Sequence, residues 1–131
     1  IGWQQPVIAG FFNLVHVRNT GAAWGILAEH TWLLGLLSVL AALLMVIFFR
    51  RLSNDQPFMA LVLGVIHGGI VGNMIDRLFR GSVVDFLDFE FAGRHWPAFN
   101  IADSAISVGV VLVLLASFFL PAPVEDSPDK A

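Results

Sequence analysis

The stretch TWLLGLLSVLAALLMVIFF, Thr31 to Phe49, contains no Asp, Glu, Lys or Arg. It lies in a charge-free gap of 20 residues between Glu29 and Arg50. The chain repeats that feature twice: 20 residues separate Asp55 from Asp76, and 21 separate Asp103 from Glu125. At about 1.5 Å rise per residue, about 20 helical residues cover about 30 Å, the hydrocarbon thickness of a bilayer. The spacing therefore predicts an all-α polytopic membrane protein with three spans, at about 31–49, 58–75 and 104–120.

Composition agrees with this reading. Of the 131 residues, 57% are hydrophobic and 13% charged, where a soluble domain carries about 25% charged residues. The length allows one membrane-embedded domain, residues 1–120, followed by an acidic tail at 121–131 that is expected to be disordered. Net charge is −3, and the seven basic residues are scattered from Arg18 to Lys130. No basic patch points to nucleic acid, so that class of partner is set aside. The absence of cysteine excludes disulfides, thiolate catalysis and Cys-ligated metals. His16, His30, His67 and His95 lack metal-ligand spacing, so no metal or other cofactor is expected. His67, inside a span, is read as a hydrogen-bonded helix contact. Ile1 to Pro6 carry no basic segment ahead of an apolar run, so no cleavable targeting peptide is apparent.

The segments between spans have their own patterns. Residues 1–30 are interrupted by Gln4, Gln5, Pro6, Gly10 and Asn13 and do not read as a span. Phe11 to Arg18 alternates partly at period two, which predicts a short strand or hairpin. Asn19-Thr20-Gly21 is a turn signal, and Ala22 to Leu27 is expected to form a short helix in the membrane interface, with Trp24 and Trp32 at headgroup depth. Arg50-Arg51 prefers the cytoplasmic side, which would place the other end of the bundle outside. Arg77, Arg80 and Arg94 fall on that outer side, so charge alone orients the chain weakly. Pro57 suits the first turn of the second span. Gly64, Gly68 and Gly72 form a stripe at i, i+4, i+8 that would let another helix approach closely. Ser82 to Phe89 has strand character, and Gly93 to Pro97 reads as a loop.

Polar residues at span ends cost insertion energy, so clusters of them need a reason. One cluster is Gly72-Asn73-Met74-Ile75-Asp76-Arg77, in which Asn73 and Arg77 share a helical face. The other is Asn100-Ile101-Ala102-Asp103, in which Asn100 and Asp103 share a face. With the outer ends of their spans adjacent, Asp85 and Asp103 can meet near the membrane surface. Two carboxylates so placed share one proton, and the pair then holds an acid and a base together. That arrangement suits activating water against an amide carbonyl while protonating the leaving nitrogen. Plainer readings stand beside it. Asp76 with Arg77 is an ion pair ending a helix, Asp103 a cap or first-turn acid, and Asp88 and Glu90 solvated loop acids. Ser104 and Ser107 lack a paired base, which disfavours a serine nucleophile.

Four motifs bring these pieces together: Asn19-Thr20-Gly21-Ala22-Ala23, Gly72 to Arg77, Val83-Val84-Asp85-Phe86, and Phe99-Asn100-Ile101-Ala102-Asp103-Ser104. In order and approximate spacing the chain resembles the lipoprotein signal peptidase (signal peptidase II) family from about Val7 to Leu120. The resemblance implies a multi-pass aspartic endopeptidase of the bacterial inner membrane, with its active site near the outer surface. Its substrate would be a prolipoprotein, cut before a cysteine that already carries a diacylglyceryl group. Asp85 and Asp103 would be the catalytic pair. Asn19, Gly72, Asn73, Arg77 and Asn100 would line the site and bind substrate, and Asp76 would be structural. The family also implies a small extracytoplasmic β-sheet and an interfacial helix, contact with membrane lipid, and a monomer. It has four spans, and the chain as given is expected to begin after the first, as a fragment or processed form; Trp24 stands where the family has Phe. The alternative is a non-catalytic membrane subunit or small transporter that packs through the glycine stripe. No acid sits at mid-span, which counts against a proton-coupled transporter.

Overall fold

The computed structural model describes residues 2–22, 25–53 and 55–119. Three helices carry the apolar gaps: α1 (Thr31–Ser53), α2 (Pro57–Ile75) and α3 (Ile101–Phe119). All three are long and apolar enough to cross a membrane. Helices α1 and α3 run past the charge-free stretch at one end, where polar residues continue their turns. Helix α1 runs through Arg50 and Arg51 to Ser53, because charged side chains at a helix end can reach the interface while the backbone stays helical. Helix α3 starts at Ile101 because Asn100 caps it. Residue 120 and the acidic tail lie outside the described residues.

Helix α2 is the middle helix, packed against both α1 and α3. Its buried face is Val62, Leu63, Ile66, Gly69 and Asn73. Outward-pointing apolar side chains such as Val46, Ile47, Phe118 and Phe119 are 63, 69, 82 and 80% exposed, as lipid-facing positions would be.

The predicted glycine stripe is not where the helices meet. A Cβ added at Gly64 or Gly68 would touch nothing within 4 Å, and one at Gly72 would make ordinary contact with Ala102 at 3.7 Å. The close approach is at Gly69, where a Cβ would lie 2.6 Å from the Ala102 carbonyl oxygen and 2.9 Å from Ile106. Periodicity identifies a row of small residues, but the rotation of α2 selects which glycine faces α3.

At one end of the bundle sits a four-stranded antiparallel sheet in the order β1-β2-β3-β4. Its strands are β1 (Gln4–Ile8), β2 (Phe12–Asn19), β3 (Val83–Phe91) and β4 (Arg94–His95). The strand expected near Phe11 to Arg18 is β2; its hairpin partner β1 comes from the stretch read as interrupted, with Gln4, Gln5 and Pro6 inside a strand. Pro6 is tolerated because β1 is an edge, where a missing N–H breaks no inner ladder. Strands β3 and β4 are joined through Ala92 and Gly93, both with positive φ (50° and 76°), as a two-residue hairpin turn requires.

The helix expected over Ala22 to Leu27 falls partly on Ala23 and Trp24, outside the described residues. Around them the chain makes turn bonds, Ala22 N–H to Ile26 O and His30 N–H to Leu27 O. Trp32 is exposed in the first turn of α1.

Helix α2 ends in a wider π-helical turn, Asp76–Arg80, closed by Gly81 at φ 69°. The ion pair here is Asp76 with Arg80, at 2.7 Å, rather than with its neighbour Arg77. Adjacent helical residues point about 100° apart, whereas i and i+4 lie on one face.

Candidate active site

The sheet end of the bundle gathers Asn19, Asn73, Arg77, Asp85, Asn100 and Asp103 about one cluster; Gly72 and Asp76 stand on the same turns of α2 and its π-helical end but line neither of its clefts. Asn100 is the residue before α3, and its Oδ1 accepts the backbone N–H of Asp103 at 3.1 Å. Asp103 Oδ2 accepts the backbone N–H of Asn100 in return, at 3.2 Å. This reciprocal pair is a capping box, which satisfies two otherwise orphaned donors at the helix start. The plain reading of Asp103 as a first-turn acid is therefore correct, and it is only half of the arrangement.

The remaining atoms of the cap reach across the bundle. Asn73 on α2 donates from Nδ2 to Asp103 Oδ1 at 2.7 Å. Asn100 donates from Nδ2 to Asp85 Oδ1 on β3 at 2.9 Å and approaches Asn73 Oδ1 at 3.2 Å. Asn19, the last residue of β2, donates from Nδ2 to Asp85 Oδ2 at 2.9 Å, and its Oδ1 accepts the Gly21 N–H at 2.9 Å. Two carboxylates thus sit in one chain of neutral amides, with no lysine or arginine among the described residues hydrogen-bonded to either.

Arg77 stands one helical turn from Asn73, with Nη2 on the Gly21 carbonyl at 3.2 Å. Its Nε is buried without a hydrogen-bond partner among the described residues. The same holds for Nδ1 of His67, so the helix hydrogen bond expected of that side chain is not made through Nδ1.

Asp85 is 2% exposed. Burial pushes its carboxyl above the usual value, because the charged form loses hydration. The amides of Asn19 and Asn100 pull it back, Asp103 raises it further by like-charge repulsion, and Arg77 lowers it.

A cavity of about 880 Å³ opens beside the network. Asn19, Arg77, Asp85 and Asp103 line it together with an apolar wall from Trp96 to Phe99. A second cleft, about 330 Å³, reaches Asn73, Arg77 and Asp103 from between the helices. Gly72 lines neither. Ser104 lines the larger cavity, but its hydroxyl is engaged with the Asn100 carbonyl at 3.0 Å and has no base beside it among the described residues. Pro97 and Ala98 carry no chemical signal of their own in the sequence; only their position just before Phe99-Asn100 marks them.

Asp88 corrects an expectation. It is not a solvated loop acid but a strand residue that is 5% exposed. Asn13 Nδ2 donates to its Oδ2 at 2.9 Å, and His95 Nδ1 lies 2.9 and 3.0 Å from its two oxygens. Asn13 comes from β2, 75 residues away, so no local pattern signals this pairing.

Three membrane-length helices and a carboxylate pair facing one cavity define a multi-pass membrane protein with a dicarboxylate site at one end of its bundle. The family model described as Signal peptidase (SPase) II matches residues 2–119. The chain belongs to the signal peptidase II family. It is 47% identical to the lipoprotein signal peptidase of Geobacter sulfurreducens over 111 residues, which cover 82% of this chain and 69% of that protein. It is 39% identical to the lipoprotein signal peptidase of Geobacillus kaustophilus over 123 residues, covering 94% of this chain and 80% of that one. A solved structure described as a bacterial membrane enzyme superposes with a TM-score of 0.84 at 35% identity, covering 99% of this chain and 79% of its own.

Proposed function

We propose that this protein is an aspartic endopeptidase that removes signal peptides from diacylglyceryl-modified prolipoproteins, cutting before the lipidated cysteine. One observation carries the reading: Asp85 and Asp103 line one cavity, and Asn100 is hydrogen-bonded to both. The pair holds one proton between its two carboxyls, and burial favours Asp85 as its holder. The ionised partner takes a proton from a water placed between them as that water attacks the amide carbonyl. The protonated partner gives its proton to the departing nitrogen. Asn19, Asn73 and Asn100 fix both carboxylates while leaving the cavity side open. Arg77 binds substrate from the cavity edge through its guanidinium.

The apolar wall suits the region around the cut, because the substrate presents a hydrophobic segment and two acyl chains. In this proposal residues 1–120 form a single protease domain of the bacterial inner membrane. The sheet lies on the outer face and Arg50 and Arg51 inside, acyl chains of the surrounding lipid cover the helices, and the working unit is a monomer. The family's fourth span completes the bundle. The non-catalytic subunit reading is disfavoured by the family, whose named relatives are lipoprotein signal peptidases.

The test is to incubate membranes holding the chain with a diacylglyceryl-modified prolipoprotein and read the gel shift of signal-peptide loss. An Asp85→Asn version and one extended by a relative's N-terminal span run alongside. Cleavage abolished by Asp85→Asn supports the proposal. Cleavage only by the extended version makes the fourth span a required part. No cleavage by either, with both folded in the membrane, contradicts the proposal.

A further inference from the structure

The back of the sheet carries a second buried polar cluster that the proposed chemistry does not use. A strand turns successive side chains to opposite faces, so Asp85 and Asp88, three residues apart on β3, point away from each other. The Asp85 side of the strand continues into aromatic packing. Phe89 contacts Phe11 and Phe12 and stacks on Phe99, with ring centroids 5.9 Å apart. On the Asp88 side lie Asn13, paired across from it, and His95, whose direct cross-strand partner is Glu90. His95 Nδ1–H donates into the Asp88 carboxylate, and Nε2 stands 3.9 Å from Glu90.

The residues after His95 form the wall of the cavity. Trp96 N–H donates to the Phe89 carbonyl at 2.8 Å, and Phe99 bonds to Leu87 in both directions, at 3.0 and 2.9 Å. Between those anchors lie Pro97, which has no N–H, and Ala98; both line the cavity with Trp96 and Phe99. Strand β4 is only two residues long, too short for its own ladder to fix the path of the wall. His95 provides its side-chain anchor, and Asn13 holds the Asp88 carboxylate against that pull from the other side.

We infer that the Asn13–Asp88–His95 bracket on the back of the sheet is a positioning device that sets the place of the Trp96–Phe99 wall and hence the affinity of the cavity for substrate. The inference rests on the reading of that cavity as the peptidase site. The bracket does not touch the reacting atoms, so its loss acts on binding and leaves the carboxylate pair intact.

His95 is the residue to change, because its side chain is 49% exposed and truncation leaves no sealed void. With the diacylglyceryl prolipoprotein as substrate, His95→Ala is expected to raise KM roughly tenfold, the equivalent of about one hydrogen bond to a charged group, with kcat within about twofold of the parent. His95→Asn, whose amide can donate from about the place of Nδ1, is expected to restore most of the affinity. The chain has no cysteine, so Ala98→Cys offers a unique thiol for a nitroxide label in the wall. The label should gain mobility in His95→Ala and lose it again in His95→Asn. A cleaving parent whose KM is unmoved by His95→Ala overturns the inference, as does an equal fall in kcat with KM unchanged. If the parent does not cleave, the proposed function fails separately, and a label indifferent to His95 then overturns the bracket.

Discussion

Strand β3 holds two buried aspartates three residues apart, one proposed above as reactive and the other as structural, and their surroundings differ. Asp85 and Asp88 are 2 and 5% exposed, so burial alone does not distinguish them. Their partners do. Asp85 receives two neutral amides, stands near a second carboxylate and opens on a cavity. Asp88 receives an amide and an imidazole, and it lines neither cleft. A buried acid without a counter-ion keeps an environment in which gaining a proton is easy. One that is hydrogen-bonded on both sides and faces no cleft serves as an anchor.

The largest expected effect comes from that difference. Asp85→Asn should lower turnover by roughly a thousandfold or more, in the range of removing an acid or base from the transition state. Asp88→Asn should keep activity within about tenfold, because an amide can still bond both Asn13 and His95. Initial rates of prolipoprotein cleavage for the two variants, at matched amounts of folded protein, check this. Equal losses would erase the distinction.

A second test disturbs the support of the front site only. Gly69 lets the Ala102 carbonyl approach, and so sets where α3 presents Asp103 to Asn73. Gly69→Leu should destabilise the fold by about 1–3 kcal/mol through overpacking and reduce cleavage. Gly68→Leu, which meets open space, should stay within about 0.5 kcal/mol. Unfolding in detergent compares them. Sensitivity at Gly68 instead would point to a partner helix on that face.

The smallest effect is one of pH. The carboxyl of Asp85 is raised in the fold from an ordinary value of 3.8, so the fold binds its proton more tightly than the unfolded chain does. Its contribution to stability is present below the unfolded value and lost as pH rises through the folded one. The unfolding temperature of Asp85→Asn minus that of the parent should therefore become more positive as pH rises through that window. A difference that moves the opposite way would mean that Asp85 is stabilised as a charge.

Much of this is legible in the sequence, and the reasons the rest is not are specific. The three spans come from spacing alone, because a bilayer excludes charge over a fixed thickness. Asp103 stands out as a polar residue at a span end, whereas Asp85 is marked by the motifs around it, which carry the family resemblance. Asp88 is hidden because its cover comes from Asn13, 75 residues earlier, and no local pattern reports whether the second face of a strand is buried. Strand β1 is hidden by Pro6, which reads as a breaker unless its strand is known to be an edge. The glycine that matters lies one residue from the predicted stripe, since a helix's rotation about its axis depends on its neighbours.

The central claim is that Asp85 and Asp103 act as one unit sharing a proton. Single-turnover cleavage of a diacylglyceryl prolipoprotein by Asp85→Asn, Asp103→Asn and the double variant tests it most directly. Each single change should cost nearly as much as both together, because half of an acid–base pair retains none of its function. Losses that add across the two sites, or one variant that keeps near-parental turnover, would contradict it.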